Sequence, residues 1–257
     1  MMESDRDAHH SFLIGYSQVK ATGQKDGDAV KLRIMCNECA KQKPTFQNVD
    51  IVDDGRYYTT CPLGHTQTII LENEKFQILF DLGIGALMDG YPGEAVGRVA
   101  SALERFYEYS IIVMSDHSGT SADMLQKTWK YVQQQSERQL GAYYFTFLNH
   151  LQQAPPEFPQ KMIRFRNKVI HQGYIPSHSE AQEYLDAVYK YIGQVWKTLQ
   201  SHCGAFGNHS SKVFPKHAGV PKMSIATVAI AFSVPNDSGW ILPLEEVMQN
   251  FGMSFRR

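Results

Sequence analysis

Cysteine is scarce in this chain of 257 residues, which holds only Cys36, Cys39, Cys61 and Cys203. So small a set excludes a disulfide-stapled secreted scaffold and points instead to metal ligands or free thiols. Neither sign of charge is in excess: 25 Lys and Arg face 26 Asp and Glu, for a formal net charge of −1. That balance excludes a diffuse basic field of the kind that drives non-specific polyanion binding, so any such site has to be local. Long hydrophobic runs are also missing. The longest, Ile225 to Val234, is about half of the roughly 20 residues a spanning helix needs, and it contains Thr and Ser. The first ten residues, MMESDRDAHH, are polar and acidic, which is the wrong chemistry for a secretory signal. The expectation is a cytoplasmic protein that does not engage a membrane.

What is present is enough apolar material, 43% of residues, to bury a core in one large or two modest domains. Residues 1–28 are polar and Gly-containing, a weakly specified leader in which only Ser11 to Val19 suits a strand. Residues 29–72 hold short β-favouring runs, Val30 to Met35, Val49 to Val52, Tyr57 to Thr60 and Thr66 to Leu71, separated by Asp-Gly and Gly-His turn signals. From about residue 73 the period becomes helical and stays so to 203. Five helices are expected there: Lys75 to Met88, Glu94 to Ser115, Ala122 to Leu151, Pro159 to Gln172, and one from Ser177 or Ser179 to His202. Residues 204–257 read as a β-α appendage, with β-branched residues from Met223 to Val234 and a short helix from Pro243 to Phe251. The fold class is α+β: a helical bundle preceded by a small β-rich unit and followed by a short tail.

Two constellations carry chemistry. The first is Cys36-Asn-Glu-Cys39 followed, after 21 intervening residues, by Cys61-Pro-Leu-Gly-His65. Two tight knuckles, each presenting two ligands, suit the tetrahedron that zinc prefers, and residues 29–72 thereby resemble a zinc ribbon. Four protein ligands leave no open position, so the Zn2+ is expected to be structural. The ribbon is not basic: Lys31, Arg33, Lys41, Lys43 and Arg56 are matched by Glu38, Asp50, Asp53, Asp54 and Glu72. A protein contact is at least as good a reading of it as a nucleic-acid contact. Cys203 is left over as a buried free thiol.

The second is Lys161-Met-Ile-Arg164-Phe-Arg166-Asn167-Lys168-Val-Ile-His171. Between Glu157 and Glu180 no acidic residue occurs, while Lys161, Arg164, Arg166 and Lys168 add four positive charges. This is the local basic site that a neutral chain requires, and a phosphate-bearing ligand is its natural partner. On a helix, Met162, Ile163, Phe165, Val169 and Ile170 form an apolar arc with Arg166 inside it, so the guanidinium must be paired, snorkel out or line a cleft. Arg166 and His171 stand about 140° apart on an ideal helix. Their convergence therefore needs Arg reach, distortion of the helix end or a partner surface.

RNKVIH followed by QGYIPSHSEAQEYLDAVYKYI, together with AVGRVASALERFYEYS upstream, resembles the HEPN superfamily (higher eukaryotes and prokaryotes nucleotide-binding), over residues 75–202. The resemblance implies a HEPN-like helical domain at 73–203 and metal-independent RNA cleavage, as in toxin or antiviral defence settings. In that chemistry the ribose 2'-hydroxyl attacks the adjacent phosphate. His171 would be the general acid or base, Arg166 the transition-state stabiliser and Asn167 the orienting polar group. Lys168, Arg164 and Tyr174 would contact the RNA backbone or stack on bases. One His does not serve easily on both sides of phosphorus, so the resemblance implies a homodimer that brings two Arg-His sets to one cleft. RNA is then the substrate, and a possible antitoxin or sensor protein is a further partner.

Three alternatives stay open. Arg166 can be a structural ion-pair partner of Glu104 or Glu108, with His171 a helix C-terminal residue favoured by the dipole; the domain can bind RNA or nucleotide, or act as a scaffold, without cleaving; or the ribbon can be the nucleic-acid binder while the helices only dimerise. Elsewhere, Gly83, Gly85, Gly90 and Gly93 indicate close helix packing rather than a phosphate loop, since no Lys-Ser/Thr follows. Ser115-Asp116-His117 reads as a helix cap and turn.

Overall fold

The computed structural model describes residues 12–13, 15–18, 30–40, 43–71, 73–204, 223–227, 231–232 and 242–255. They fall into two compact units. The first takes the residues up to 73, the strand at 223–227 and residues 253–255; the second runs from 74 to 204 and adds 231–232 and 242–252. The segment 204–257, expected as a single appendage, therefore contributes a strand to one unit and most of a helix to the other. The α+β class holds. Of the leader, residues 1–11 lie outside the described residues, as do 19–29.

The first unit contains two sheets. Strands β1 (Phe12–Leu13), β2 (Gly15–Gln18) and β3 (Val30–Met35) precede a one-turn helix, α1 (Asn37–Ala40). Then come β4 (Phe46–Asp50), β5 (Arg56–Thr60), β6 (Thr66–Leu71) and, far along the chain, β7 (Met223–Thr227). One sheet is antiparallel in the order β2-β3-β4, with Leu32 opposite Val49. The other is mixed, in the order β1-β7-β6-β5: β5 and β6 form an antiparallel hairpin, while β7 is parallel to both β6 and β1. Strand β4 starts three residues before the expected run because its ladder begins where the Cys36 N–H donates to the Thr45 carbonyl at 2.8 Å. Leu32, Ile34, Tyr57, Ile69, Ile70 and Leu71 are the buried apolar side chains among the described residues of these strands, and Thr59 is buried beside them, the alternation of a half-covered sheet giving way to continuous burial at the end of β6.

The second unit is helical: α2 (Lys75–Met88), α3 (Pro92–His117), α4 (Ala122–Trp129), α5 (Ser136–Leu151), α6 (Gln160–Gln172), α7 (His178–Cys203) and α8 (Leu244–Phe255) up to residue 252. Helix α2 opens on a capping box between Glu74 and Gln77, and α7 on one between Ser177 and Glu180. Helix α6 ends at Gly173, whose φ of 68° is left-handed and available to glycine without strain. Phe76, Phe80, Ile84 and Leu87 of α2, Val96, Val99 and Phe106 of α3, Tyr143 and Phe147 of α5, and Leu185, Val188 and Ile192 of α7 are fully buried. Helices α2 and α3 approach so closely that a Cβ on Gly83 would stand 2.5 Å from Val99 Cγ2, which bears out the packing role expected of this glycine.

The single helix expected from Ala122 to Leu151 is two. Gln135 is extended, with φ −134° and ψ 122°, and the Lys130-to-Gln135 stretch is a run of turns. Leu125 and Trp129 anchor α4 in the core, whereas the following Gln-rich turn has little apolar surface with which to hold a helix. The buried Gln139 side chain fixes that break: its Nε2 donates to the Gln133 carbonyl at 2.7 Å and its Oε1 accepts from Arg105 at 2.8 Å.

Candidate functional site

In the first unit, each cysteine knuckle is the turn of its own hairpin. Cys36 and Cys39 follow β3, where α1 tightens the chain: the Ala40 N–H donates to the Cys36 carbonyl and the Lys43 N–H to the Cys39 carbonyl, both at 3.0 Å. Cys61 and His65 lie between β5 and β6, where the Cys61 N–H donates to the His65 carbonyl at 2.9 Å and the Gly64 N–H to the Cys61 carbonyl at 2.8 Å. Gly64 takes a φ of 85° there. A second link joins the two turns, since Gln67 Nε2 donates to the Met35 carbonyl at 3.1 Å and Gln67 Oε1 accepts from the Asn37 N–H at 3.0 Å.

The result is a four-donor cluster whose ligand atoms all lie within 4.8 Å of one another, with the three cysteines buried and His65 exposed. His65 Nδ1 stands 3.8 Å from Cys36 Sγ, 3.3 Å from Cys39 Sγ and 3.6 Å from Cys61 Sγ, and the Cys39 and Cys61 sulfurs are 3.8 Å apart. A tetrahedral site with metal–sulfur bonds of ~2.3 Å and metal–nitrogen bonds of ~2.0 Å has edges of roughly 3.8 Å between sulfurs and roughly 3.5 Å between sulfur and nitrogen. The donors are therefore spaced as one metal ion requires, and the cluster can hold one. Burial by itself would raise the Cys61 thiol, but the backbone N–H groups of His65 and Leu63 and the thiols of Cys36 and Cys39 outweigh it and bring Cys61 down to about 7. A thiolate is thus accessible near neutral pH, as metal ligation demands.

In the second unit, α6 brings Arg166, Asn167 and His171 together. Arg166 NH1 donates to Asn167 Oδ1 at 3.0 Å and lies 3.4 Å from His171 Nε2. The 140° separation is closed by the reach of the arginine back across its own helix, and His171 sits in the last turn of α6, two residues before the Gly173 cap. Arg166 NH2 donates to Glu104 Oε1 at 2.7 Å, and both side chains are about a quarter exposed. Glu104 is the residue that the motif did not identify as part of the site: it entered only as one of two structural partners for Arg166. The available signal was the apolar arc around Arg166, which demands a carboxylate from another element. Glu104 lies on α3, within the segment AVGRVASALERFYEYS.

The remaining candidates divide. Lys168 Nζ lies 3.5 Å above the centre of the Tyr174 ring, a cation–π contact. The Tyr174 hydroxyl donates to Glu180 Oε1 at 2.9 Å, while Glu180 Oε2 accepts from the Ser177 N–H and hydroxyl, each at 2.8 Å. The Ser177 donors and Tyr174 hold the Glu180 carboxyl below its usual range, and Glu180 in turn pushes the Tyr174 phenol up. Lys168 and Tyr174 therefore form a group tied to the start of α7. Arg164 is exposed, and Lys161 pairs with Glu183 at 2.7 Å.

A third cluster was not foreseen. His117, His150 and Cys203 stand at the C-terminal ends of α3, α5 and α7 with their ligand atoms within 4.8 Å of one another. Cys203 is half-buried rather than enclosed, and it faces His150. No helix of the described residues is long and apolar enough to cross a membrane. Comparison of the chain with protein-family models, with curated proteins and with solved structures finds no match.

Proposed function

We propose that the chain is a HEPN-type, metal-independent endoribonuclease of the toxin or antiviral-defence kind, acting in the cytoplasm on RNA at the Arg166–His171 patch. The observation that carries this reading is that one partly exposed guanidinium joins Glu104, Asn167 and His171 in a single patch. An arginine beside an imidazole supplies the two functions that 2'-hydroxyl attack needs. The imidazole moves a proton, and the guanidinium stabilises the extra negative charge on the pentavalent phosphorus. The 2'-oxygen forms its bond to phosphorus and gives its proton to the base. The bond to the 5'-oxygen breaks and that oxygen takes a proton from the acid, leaving a 2',3'-cyclic phosphate and a 5'-hydroxyl. A second copy of the chain, in a two-fold homodimer, supplies the second imidazole. Glu104 acts as a positioning residue that aims the guanidinium, and Asn167 holds its NH1 edge.

The ion held by Cys36, Cys39, Cys61 and His65 is proposed to be zinc in a structural role, since four protein donors complete its shell. The ribbon it supports is the recognition element for an antitoxin or sensor protein.

A second reading is favoured by the 2.7 Å pair between Arg166 and Glu104, which already neutralises the arginine. Under it the domain binds RNA or nucleotide, or acts as a scaffold, and does not cleave. Incubating end-labelled RNA with the purified chain in buffer without added divalent ions separates the two. Cleavage that falls ~10²–10⁴-fold in His171→Ala supports the nuclease; RNA retention without cleavage in the wild type supports the second reading and overturns the first.

A further inference from the structure

We propose that His117, His150 and Cys203 form a second metal site, distinct from the four-donor cluster and built to take a borderline transition ion such as Zn(II) with one coordination position left open. Each ligand comes from the last turn of a different helix, α3, α5 and α7. The carbonyl-rich ends of helices carry partial negative charge, so three such ends converging on one point favour a cation there.

The distances fit. Cys203 Sγ is 3.6 Å from His150 Nε2, close to the sulfur–nitrogen edge of roughly 3.5 Å in a tetrahedral zinc site. His117 Nδ1 is 3.1 Å from His150 Nε2, close to the nitrogen–nitrogen edge of roughly 3.3 Å. The partner of the other His150 nitrogen is equally telling, since Ser118 Oγ stands 2.7 Å from Nδ1. With Nδ1–H donating to that hydroxyl, the lone pair lies on Nε2, the atom that faces both His117 and Cys203. A hydrogen bond of this kind on the far side of a ligating imidazole is how metal-site histidines are oriented.

The ligand set also separates this site from the ribbon. Two imidazoles and one thiolate make three protein ligands, and His117 is exposed. Water, a small anion or a thiol can complete the shell, so the ion exchanges where the ribbon's does not. Because the three ligands end three helices of one unit, occupancy staples those ends together and stabilises the helical unit in proportion to metal concentration.

The test uses the full chain equilibrated with Zn(II), desalted, and assayed for metal per chain. The wild type is expected to bind two equivalents, of which one exchanges for Co(II) and gives a thiolate-to-cobalt charge-transfer band. Saturation of the exchangeable site at about a hundredfold above its dissociation constant should raise Tm by roughly 5–10 °C. Cys203→Ser, at a half-buried position, and His117→Ala, at an exposed one, should each lose the exchangeable equivalent and the Tm rise while keeping the first equivalent. A wild type that binds one equivalent, or variants that keep two together with the Tm response, would overturn the proposal.

Discussion

The four-donor cluster and the Arg166–His171 patch differ in where their information lies along the chain. Every ligand of the cluster belongs to one of two short knuckles whose spacing is itself the signal, and each knuckle closes a local hairpin. The patch is only half local. Arg166, Asn167 and His171 share α6, but the carboxylate that holds the guanidinium arrives on α3, 62 positions upstream. A site made of adjacent turns is robust to the packing of distant elements, whereas a site bridged between helices depends on how those helices meet.

That contrast can be broken most forcefully at the cluster. Replacing Cys61 with Ser removes one of the four donors and would leave the proposed zinc with an open shell; since structural zinc contributes on the order of 10 kcal/mol to the folding of small metal-bound units, we expect metal loss and proteolytic opening of residues 29–72. Metal analysis and limited proteolysis check this, and a variant that retains its metal and its protease resistance contradicts the structural role.

Next in size is His171→Ala. It should leave thermal stability within about 0.5 kcal/mol, because the side chain is exposed, while lowering RNA cleavage ~10²–10⁴-fold. A cleavage loss matched by a fall in Tm would reduce the residue to a structural one.

The third variant addresses the helix meeting itself. Gly83→Ala drives a methyl group against Val99 Cγ2, and overpacking of this kind costs about 1–3 kcal/mol. Urea denaturation of the helical unit is the measurement, with residues 29–72 keeping their metal if the site of adjacent turns is as independent as its construction suggests.

Glu104→Gln should cost less stability than Gly83→Ala. The pair is about a quarter exposed, so solvent screening limits the loss to about 0.5–1 kcal/mol. If Glu104 positions the guanidinium, kcat should fall while KM for RNA changes little or improves, since a competing carboxylate charge has been removed. A variant unchanged in kcat assigns Glu104 to stability alone.

The comparison also explains how much was legible beforehand. The ligand set, its two turns and the change from β to helix at residue 73 could be read because residue type and spacing are local. The ends of α6 and α7 followed from Gly173, Ser177 and Gly204 for the same reason. The break between α4 and α5 could not, because it depends on the buried side chain of Gln139 reaching Arg105 of α3. Nor could the parallel pairing of β7 with β6, about 150 residues apart, since strand partners at that separation leave no periodic trace. His117 and Cys203 were legible only singly, as a turn residue and a spare thiol, and His150 carried no signal; only the convergence of three helix ends brings them together.

The most direct test of the account is the chemistry at His171. Wild-type chain incubated with RNA in buffer without added divalent ions should yield fragments ending in 2',3'-cyclic phosphate with 5'-hydroxyl partners, and His171→Ala should yield almost none. Fragments bearing 5'-phosphates, or equal cleavage by wild type and His171→Ala, would contradict it.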